Sequence, residues 1–305
     1  MKKVLTFLLL FSMILPICTA FADNETMGYD IDFDTPYSSD QTYGIVNILL
    51  LGVDRQNGDI PDPGRSDCMM ICSLNKDEGT IKLISIERGI ELNIPGVGTD
   101  MLAHAHHYGG GELTQQLIEE YFAINLDGYI EIDYQGFIDA VNAIGGVDIE
   151  IEHLEMCCLN GWLWAHYPEN SAQTMNKVEV GINHLDGYDS LQYVRLRAID
   201  SDWHRIERQR YFIQQVLNQM KDASAAEIIN MVKAVLVNTR TNLPISEICA
   251  LIACAYKFKG AVAEQLTIPE HSRPIVCNYP VEAQKLNDFI YGGITKDNSE
   301  YESED

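Results

Sequence analysis

Hydrophobic residues change their spacing repeatedly along this chain of 305 residues. Ile45 to Leu51 is almost continuously apolar, as in a strand buried on both faces of a helix-covered sheet. Asp67 to Leu74 and Thr80 to Ile86 predict two more strands, joined by the polar turn Asn75-Lys76-Asp77-Glu78-Gly79. From Leu113 to Phe122 the period lengthens, and Leu113, Leu117 and Tyr121 share one helix face. Tyr129 to Ile132 predicts a short strand, Phe137 to Ile144 a helix closed by Gly145-Gly146, and Val147 to Ile151 another strand. Leu185 to Tyr193 reads as a short helix, Ile206 to Met220 as a long one, and residues 225–257 as mostly helical. Alternating strands and helices predict an α/β domain with helices on both faces of its sheet.

The ends of the chain follow other rules. Lys2 and Lys3 precede an apolar run from Val4 to Ile17, and Ala20-Phe21-Ala22 places small residues at the cleavage-reading positions. The run would span roughly 21 Å as a helix at 1.5 Å per residue, short of the roughly 30 Å of a bilayer core. Residues 1–22 are therefore expected to be a cleaved signal peptide, with an N-terminal membrane anchor as the alternative. Either form exports the chain to the outer face of the cytoplasmic membrane or the cell wall. Residues 23–43 hold six acidic residues and no basic one, the pattern of a solvated acidic linker. The folded domain is expected over 44–292, and residues 293–305 form an acidic tail.

The formal charge of −24 disfavours nucleic acid as a partner. Yet five of the arginines fall in one window: Arg195, Arg197, Arg205, Arg208 and Arg210. Such a cluster in an acidic chain suits a small, dense anion. Seven cysteines follow the leader without a CxxC pair, which argues against a zinc site, and Cys68 and Cys72 read as small core residues.

The first strand ends Leu51-Gly52-Val53-Asp54, and a carboxylate there sits where open α/β sheets bind ligands. Eleven residues on, Arg65-Ser66-Asp67 precedes the second strand. Carboxylates hold hard divalent cations and arginine forks onto phosphate; a surface turn with an ion pair is the competing reading. The long helix carries the stripe Ile213, Val216, Leu217 and Met220, and the same face upstream carries Gln209 and Arg205. An inward arginine needs an acidic partner or a bound anion. In an extended segment Arg195 and Arg197 would face one way, whereas Arg208 and Arg210 fall on other helix faces as ordinary surface charge.

These residues resemble, in order, the motifs of the LytR-CpsA-Psr family. Gly52-Val53-Asp54, Arg65-Ser66-Asp67, Ser85-Ile86-Glu87-Arg88-Gly89, Gly145 to Asp148, Leu185-Asp186-Gly187 with Tyr193 to Arg197, and Asp202-x-x-Arg205-x-x-Arg208-Gln209 match its pattern from about Ile45 to Met220. The resemblance implies a central mixed β-sheet flanked by helices on both faces, with a hydrophobic lipid-binding pocket. It implies a phosphotransferase that moves a polyprenyl-pyrophosphate-linked anionic glycopolymer onto peptidoglycan in cell envelope assembly. Asp54 and Asp67 would hold Mg2+. Arg65, Arg88, Arg195, Arg197 and Arg205 would clamp the pyrophosphate with Gln209 in support, and Asp202 would orient the arginines or help activate the acceptor.

The chain departs from the family pattern at Glu87 and Gly89 around Arg88, at Met101, where the family has lysine, and at Gln56, where the family's arginine is displaced to Arg55. These departures leave two rival expectations: a polyprenyl-pyrophosphate pyrophosphatase, or a non-catalytic protein that binds lipid-linked precursors or regulates the envelope. His104-x-His106-His107, ahead of Gly109-Gly110-Gly111, reads as loop packing or polar contact, with substrate contact or a transition metal as alternatives. Trp162 and Trp164 fall in a surface insertion that could face glycan.

Overall fold

A computed structural model describes residues 44–55, 63–162, 173–197, 199, 202–270 and 277–292, with only the backbone of Asp202. The predicted leader, linker and tail lie outside the described residues, as do Gln56 and Trp164. No described helix is long and apolar enough to cross a membrane.

The centre is a six-stranded mixed sheet. β1 (Ile45–Val53) pairs antiparallel with β2 (Ser66–Asn75), which pairs antiparallel with β3 (Thr80–Ile86). On the other side β1 pairs parallel with β6 (Gly128–Asp133). The edges are β9 (Arg240–Thr241), antiparallel to β6, and β10 (Glu264–Ile268), parallel to β3. Two two-stranded antiparallel sheets lie outside this one: the hairpin of β4 (Glu91–Ile94) with β5 (Gly98–Met101), and β7 (Val147–Ile151) with β8 (Gly181–Leu185).

Period-two alternation divides β1 between two cores. Leu49, Leu51 and Val53 pack with Met69, Ile71, Ile84 and Ile86 under α1 (Leu102–Phe122) and α8 (Tyr279–Tyr291). Val46 and Ile48 point the other way, onto α6 (Ala225–Leu236) and α7 (Ile245–Cys254). On that second face α5 (Asp202–Gln219) covers Met70, Ile81 and Leu83 through Ile213 and Leu217. A separate core gathers α2 (Tyr134–Ala143), α3 (His153–Leu159), α4 (Gly187–Arg195), the β7–β8 pair and Phe212 of α5. With helices on both faces, the buried first strand is apolar almost throughout.

Several expectations need correction. Residues 104–107 are helical, because Leu102, Ala103, Ala105 and His106 of α1 are all buried. The helix breaks at Gly109 and Gly110, the latter at φ +67, a region few L side chains adopt. Residues 225–257 hold two helices divided by β9, with a 3₁₀ turn over Ala255–Phe258. Arg208 and Arg210 are not surface charge, at 7% and 6% exposure. Arg208 Nε donates to Glu155 at 2.6 Å and Nη1 to the Leu196 carbonyl at 3.0 Å. Arg210 donates to the Leu266 carbonyl at 3.0 Å and to the Thr267 hydroxyl. Arg195 closes α4, so Arg195 and Arg197 do not share an extended segment.

Candidate functional site

β1 and β6 run parallel and end level, Val53 opposite Asp133, so Asp54 and Tyr134 leave the sheet side by side. β2 enters antiparallel beside them, and its register with β1 slips there: Gly52 faces Cys68, but Val53 faces Ser66. Asp67 is the extra residue of this bulge. Bulges re-aim the side chain they carry and recur beside active sites. Asp67 takes its backbone bond from the loop instead: the Arg65 carbonyl accepts from both Asp54 N, at 3.0 Å, and Asp67 N, at 3.1 Å. One carbonyl thus ties together the three residues singled out in this segment.

Salt bridges extend the cluster. Arg88 Nη1 lies 2.5 Å from Asp67 Oδ1. Asp54 accepts from the Arg65 amide and lies 3.7 Å from its Nε. Arg205 comes from the covering helix, only 3% exposed, with Nη2 donating to the Asp67 carbonyl at 3.3 Å. Arg195 is exposed, and its guanidinium stacks 4.3 Å over the Tyr134 ring.

These groups border one cavity of about 420 Å³. Asp67, Arg195, Arg197, Arg205 and Gln209 line it, together with a mostly apolar wall that includes Leu50, Ile130, Phe137, Leu191, Phe212 and Val235. The inward face of α5 predicted for Arg205, Gln209 and Ile213 is the face that meets this cavity. Arg88 joins through Asp67, and Asp54 with Arg65 through the shared carbonyl. Asp202 opens α5, and its side chain lies outside the described residues.

Sequence reasoning missed Asp133 and Tyr134, both of which line the cavity. The strand-end rule that selected Asp54 would have found them at the end of the neighbouring parallel strand. Burial raises the Tyr134 phenol above its ordinary range; Arg195 and Arg205 oppose that shift, while Asp67 and Asp54 add to it. The same phenol therefore feels both carboxylates and two of the arginines. Cys68, expected in the core, instead lines the cavity, and burial pushes its thiol up to about 11. It is a poor nucleophile in that state.

Asp54 and Asp67 offer hard oxygen donors on half-exposed side chains, at 24% and 31% exposure. No group of three or more His, Cys, Asp or Glu that could hold a metal occurs among the described residues. Two carboxylates fit magnesium, which commonly takes one or two from protein and completes its shell with waters and substrate phosphates. Of the three clustered histidines, His104 pairs with Asp100 at 2.9 Å and His106 with Glu131 at 3.0 Å. Trp162 is exposed.

Residues 18–291 match the LytR_cpsA_psr family. The chain is 31% identical over 247 residues to the polyisoprenyl-teichoic acid–peptidoglycan teichoic acid transferase TagT of Bacillus subtilis (strain 168), covering 79% of this chain and 74% of that protein. It is 32% identical over 248 residues to TagU of Oceanobacillus iheyensis, a transferase of the same description, covering 75% and 69%. Among solved structures, TagT bound to LIIa-WTA superposes with a TM-score of 0.64 at 25% identity, covering 83% of this chain and 92% of that one.

Proposed function

The chain belongs to the LytR-CpsA-Psr family, and from that premise we propose that it is a phosphotransferase moving a polyprenyl-pyrophosphate-linked anionic glycopolymer onto peptidoglycan. One observation carries the reading: a single cavity has Asp67, Arg195, Arg197, Arg205 and Gln209 on its polar side and Leu50, Ile130, Phe137, Leu191 and Val235 on its apolar side. A ligand filling it must combine a dense anion with a greasy body. The activity of these relatives, transfer of polyisoprenyl-linked teichoic acid to peptidoglycan, names a donor of that chemistry.

In the reaction the acceptor hydroxyl oxygen bonds to the phosphorus that carries the sugar chain. The bond from that phosphorus to the bridging oxygen breaks, and polyprenyl phosphate leaves with the oxygen. The acceptor's proton passes to a base and then to solvent; Asp202 would be that base if it helps activate the acceptor, its other expected role being to orient the arginines. Asp54 and Asp67 would hold Mg2+, which supplies charge neutralisation at the diphosphate when bound. Arg88, Arg195, Arg197 and Arg205, with Arg65 at the rim and Gln209 in support, hold the phosphoryl oxygens and stabilise the charge that builds on them. The basic, apolar leader sequence supports action on the outer face of the cytoplasmic membrane or in the cell wall.

The test incubates the protein with a synthetic polyprenyl-pyrophosphate sugar, peptidoglycan fragments and magnesium. A covalent glycan–peptidoglycan product is expected, dependent on all three. Phosphate release without an acceptor would replace the reading with a pyrophosphatase. Tight binding without turnover would replace it with a precursor-binding or regulatory protein.

A further inference from the structure

The sheet face that packs under α1 carries a second charge cluster, away from the cavity. Glu131 lies mid-strand in β6 and is 6% exposed. Arg55 Nη2 donates to its Oε1 at 2.8 Å, His106 Nε2 lies 3.0 Å from its Oε2, and Arg240 Nη1 lies 3.7 Å away. Burial pushes the Glu131 carboxyl up, but the His106 hydrogen bond and charge, with Arg55, more than offset this and hold it below the usual carboxylate range.

Two of these side chains, Arg55 and His106, also reach the loop that presents Asp54 and Arg65. Arg55 Nη2 also donates to the Pro63 carbonyl at 3.3 Å. His106, 1% exposed, places Nδ1 3.1 Å from the Gly64 carbonyl. Both ring nitrogens of His106 therefore face oxygen atoms, one on the loop and one on Glu131. Gly64 sits at φ +76, and a Cβ there would lie 2.6 Å from Val53 Cγ1, so only glycine fits where His106 meets the loop. Arg55, the displaced arginine of the sequence motif, thus turns back from the end of β1 to a buried carboxylate on the α1-facing side of the sheet. It also lies 4.0 Å from Asp133, a cavity residue.

We propose that Glu131, His106 and Arg55 are positioning residues: they pin both limbs of the loop between β1 and β2 and so set Asp54, Arg65 and the bulged Asp67 for metal and pyrophosphate. The assignment rests on the proposed function for its consequence, though not for its geometry. Outer groups that orient metal ligands typically change metal affinity by about 10- to 100-fold when removed.

Two variants test it on the full chain. Arg55→Leu/His106→Leu/Glu131→Leu makes the three buried members apolar together and leaves only the more exposed Arg240, a replacement that folds often tolerate better than loss of one partner. Arg55→Met removes the guanidinium from both the Pro63 carbonyl and Glu131 while leaving the His106–Glu131 pair in place, and Arg55→Lys is its conservative control. Hydrogen exchange at the Asp54 and Asp67 amides should accelerate about tenfold or more in both disrupted variants. The Mg2+ concentration giving half-maximal transfer should rise about tenfold or more, with partial recovery of kcat at high Mg2+ and most function kept in Arg55→Lys. Wild-type exchange and Mg2+ dependence in Arg55→Met, or in a folded triple variant, would overturn the proposal. If the unaltered protein shows no Mg2+-dependent transfer, the functional reading fails, and the exchange rates still decide the positioning role.

Discussion

Arg205 and Arg208 stand about one turn apart on α5, and their alanine variants should fail in different ways. Arg208 forms a pair with Glu155 in which both side chains are under 10% exposed, and it also donates to the Leu196 carbonyl. Arg208→Ala leaves Glu155 charged and buried without this partner. Breaking such a pair costs about 3–5 kcal/mol, against a total stability of roughly 5–15 kcal/mol for a domain. Taking m near 2.5 kcal/mol/M in urea, the midpoint should fall by roughly 1–2 M. Arg208→Met/Glu155→Leu removes both charges and should return to within about 1 kcal/mol of the parent. Urea titration followed by tryptophan fluorescence reads the midpoints. Transfer activity of the folded fraction, measured below the transition, should stay within a few-fold of the parent. The reasoning is refuted if Arg208→Ala melts with the parent, or if the double variant is as unstable as the single one.

Three further outcomes follow from the same geometry. Arg88→Ala, Arg195→Ala and Arg205→Ala should each lower turnover about a hundredfold, near 3 kcal/mol of transition-state stabilisation; steady-state kinetics showing a loss under tenfold would reject that residue's role. Val235→Trp fills the apolar side of the cavity, so KM should rise for donors with long prenyl chains and change little for a donor truncated to one or two isoprene units. In the β7–β8 sheet, His184 bonds Asp148 at 2.7 Å and the Gly145 carbonyl at 2.8 Å, and chiefly the Asp148 bond raises its pKa above the ordinary 6.5. Its contribution is therefore complete below about pH 6.5 and fades as pH climbs through the raised value. NMR titration should place the imidazole above 6.5, and His184→Ala should flatten the pH dependence of amide exchange in β7 and β8.

How much could be foreseen depended on whether the signal was local. β1, β3 and β7 announce themselves through unbroken or alternating apolar runs, and Arg205 and Gln209 through their phase on the Ile213–Leu217 stripe. Burial of Arg208 and Arg210 was not legible, because their partners come from α3 and β10, 53 and 56 residues away in sequence. The two-residue strand β9 is held by pairing to β6 and has no pattern of its own. Residues 104–107 failed for a related reason: the glycines at 109 and 110 do break the helix, but an apolar face upstream buries a further turn against the sheet. The candidate site lies between these cases. Its residues carry motif signals, whereas the bulge that re-aims Asp67 and the level ends of β1 and β6 that bring in Tyr134 are properties of pairing.

The same register explains why the cavity has two characters. Leu50 lies opposite Ile130, and Gly52 opposite Ile132, so the second face of these parallel strands presents an apolar floor. Gly52 is constrained there, since a Cβ would come within 2.9 Å of the Cys68 Cβ. One residue past the floor the strands stop, and side chains that would be costly inside the sheet meet α5, whose own stripe changes from Ile213 to Gln209 and Arg205 over two turns. Both walls therefore switch from apolar to charged at the same height. Inorganic pyrophosphate would leave the apolar portion without contacts, and a soluble sugar phosphate would bury hydroxyls against Phe137 and Phe212 without partners, at about 1–3 kcal/mol each. Each buried methylene-sized unit of a prenyl chain gains about 0.8 kcal/mol instead. The cavity thus selects against anions that lack a tail as well as for those that have one, and that discrimination comes from strand register and helix phase before any single arginine is counted.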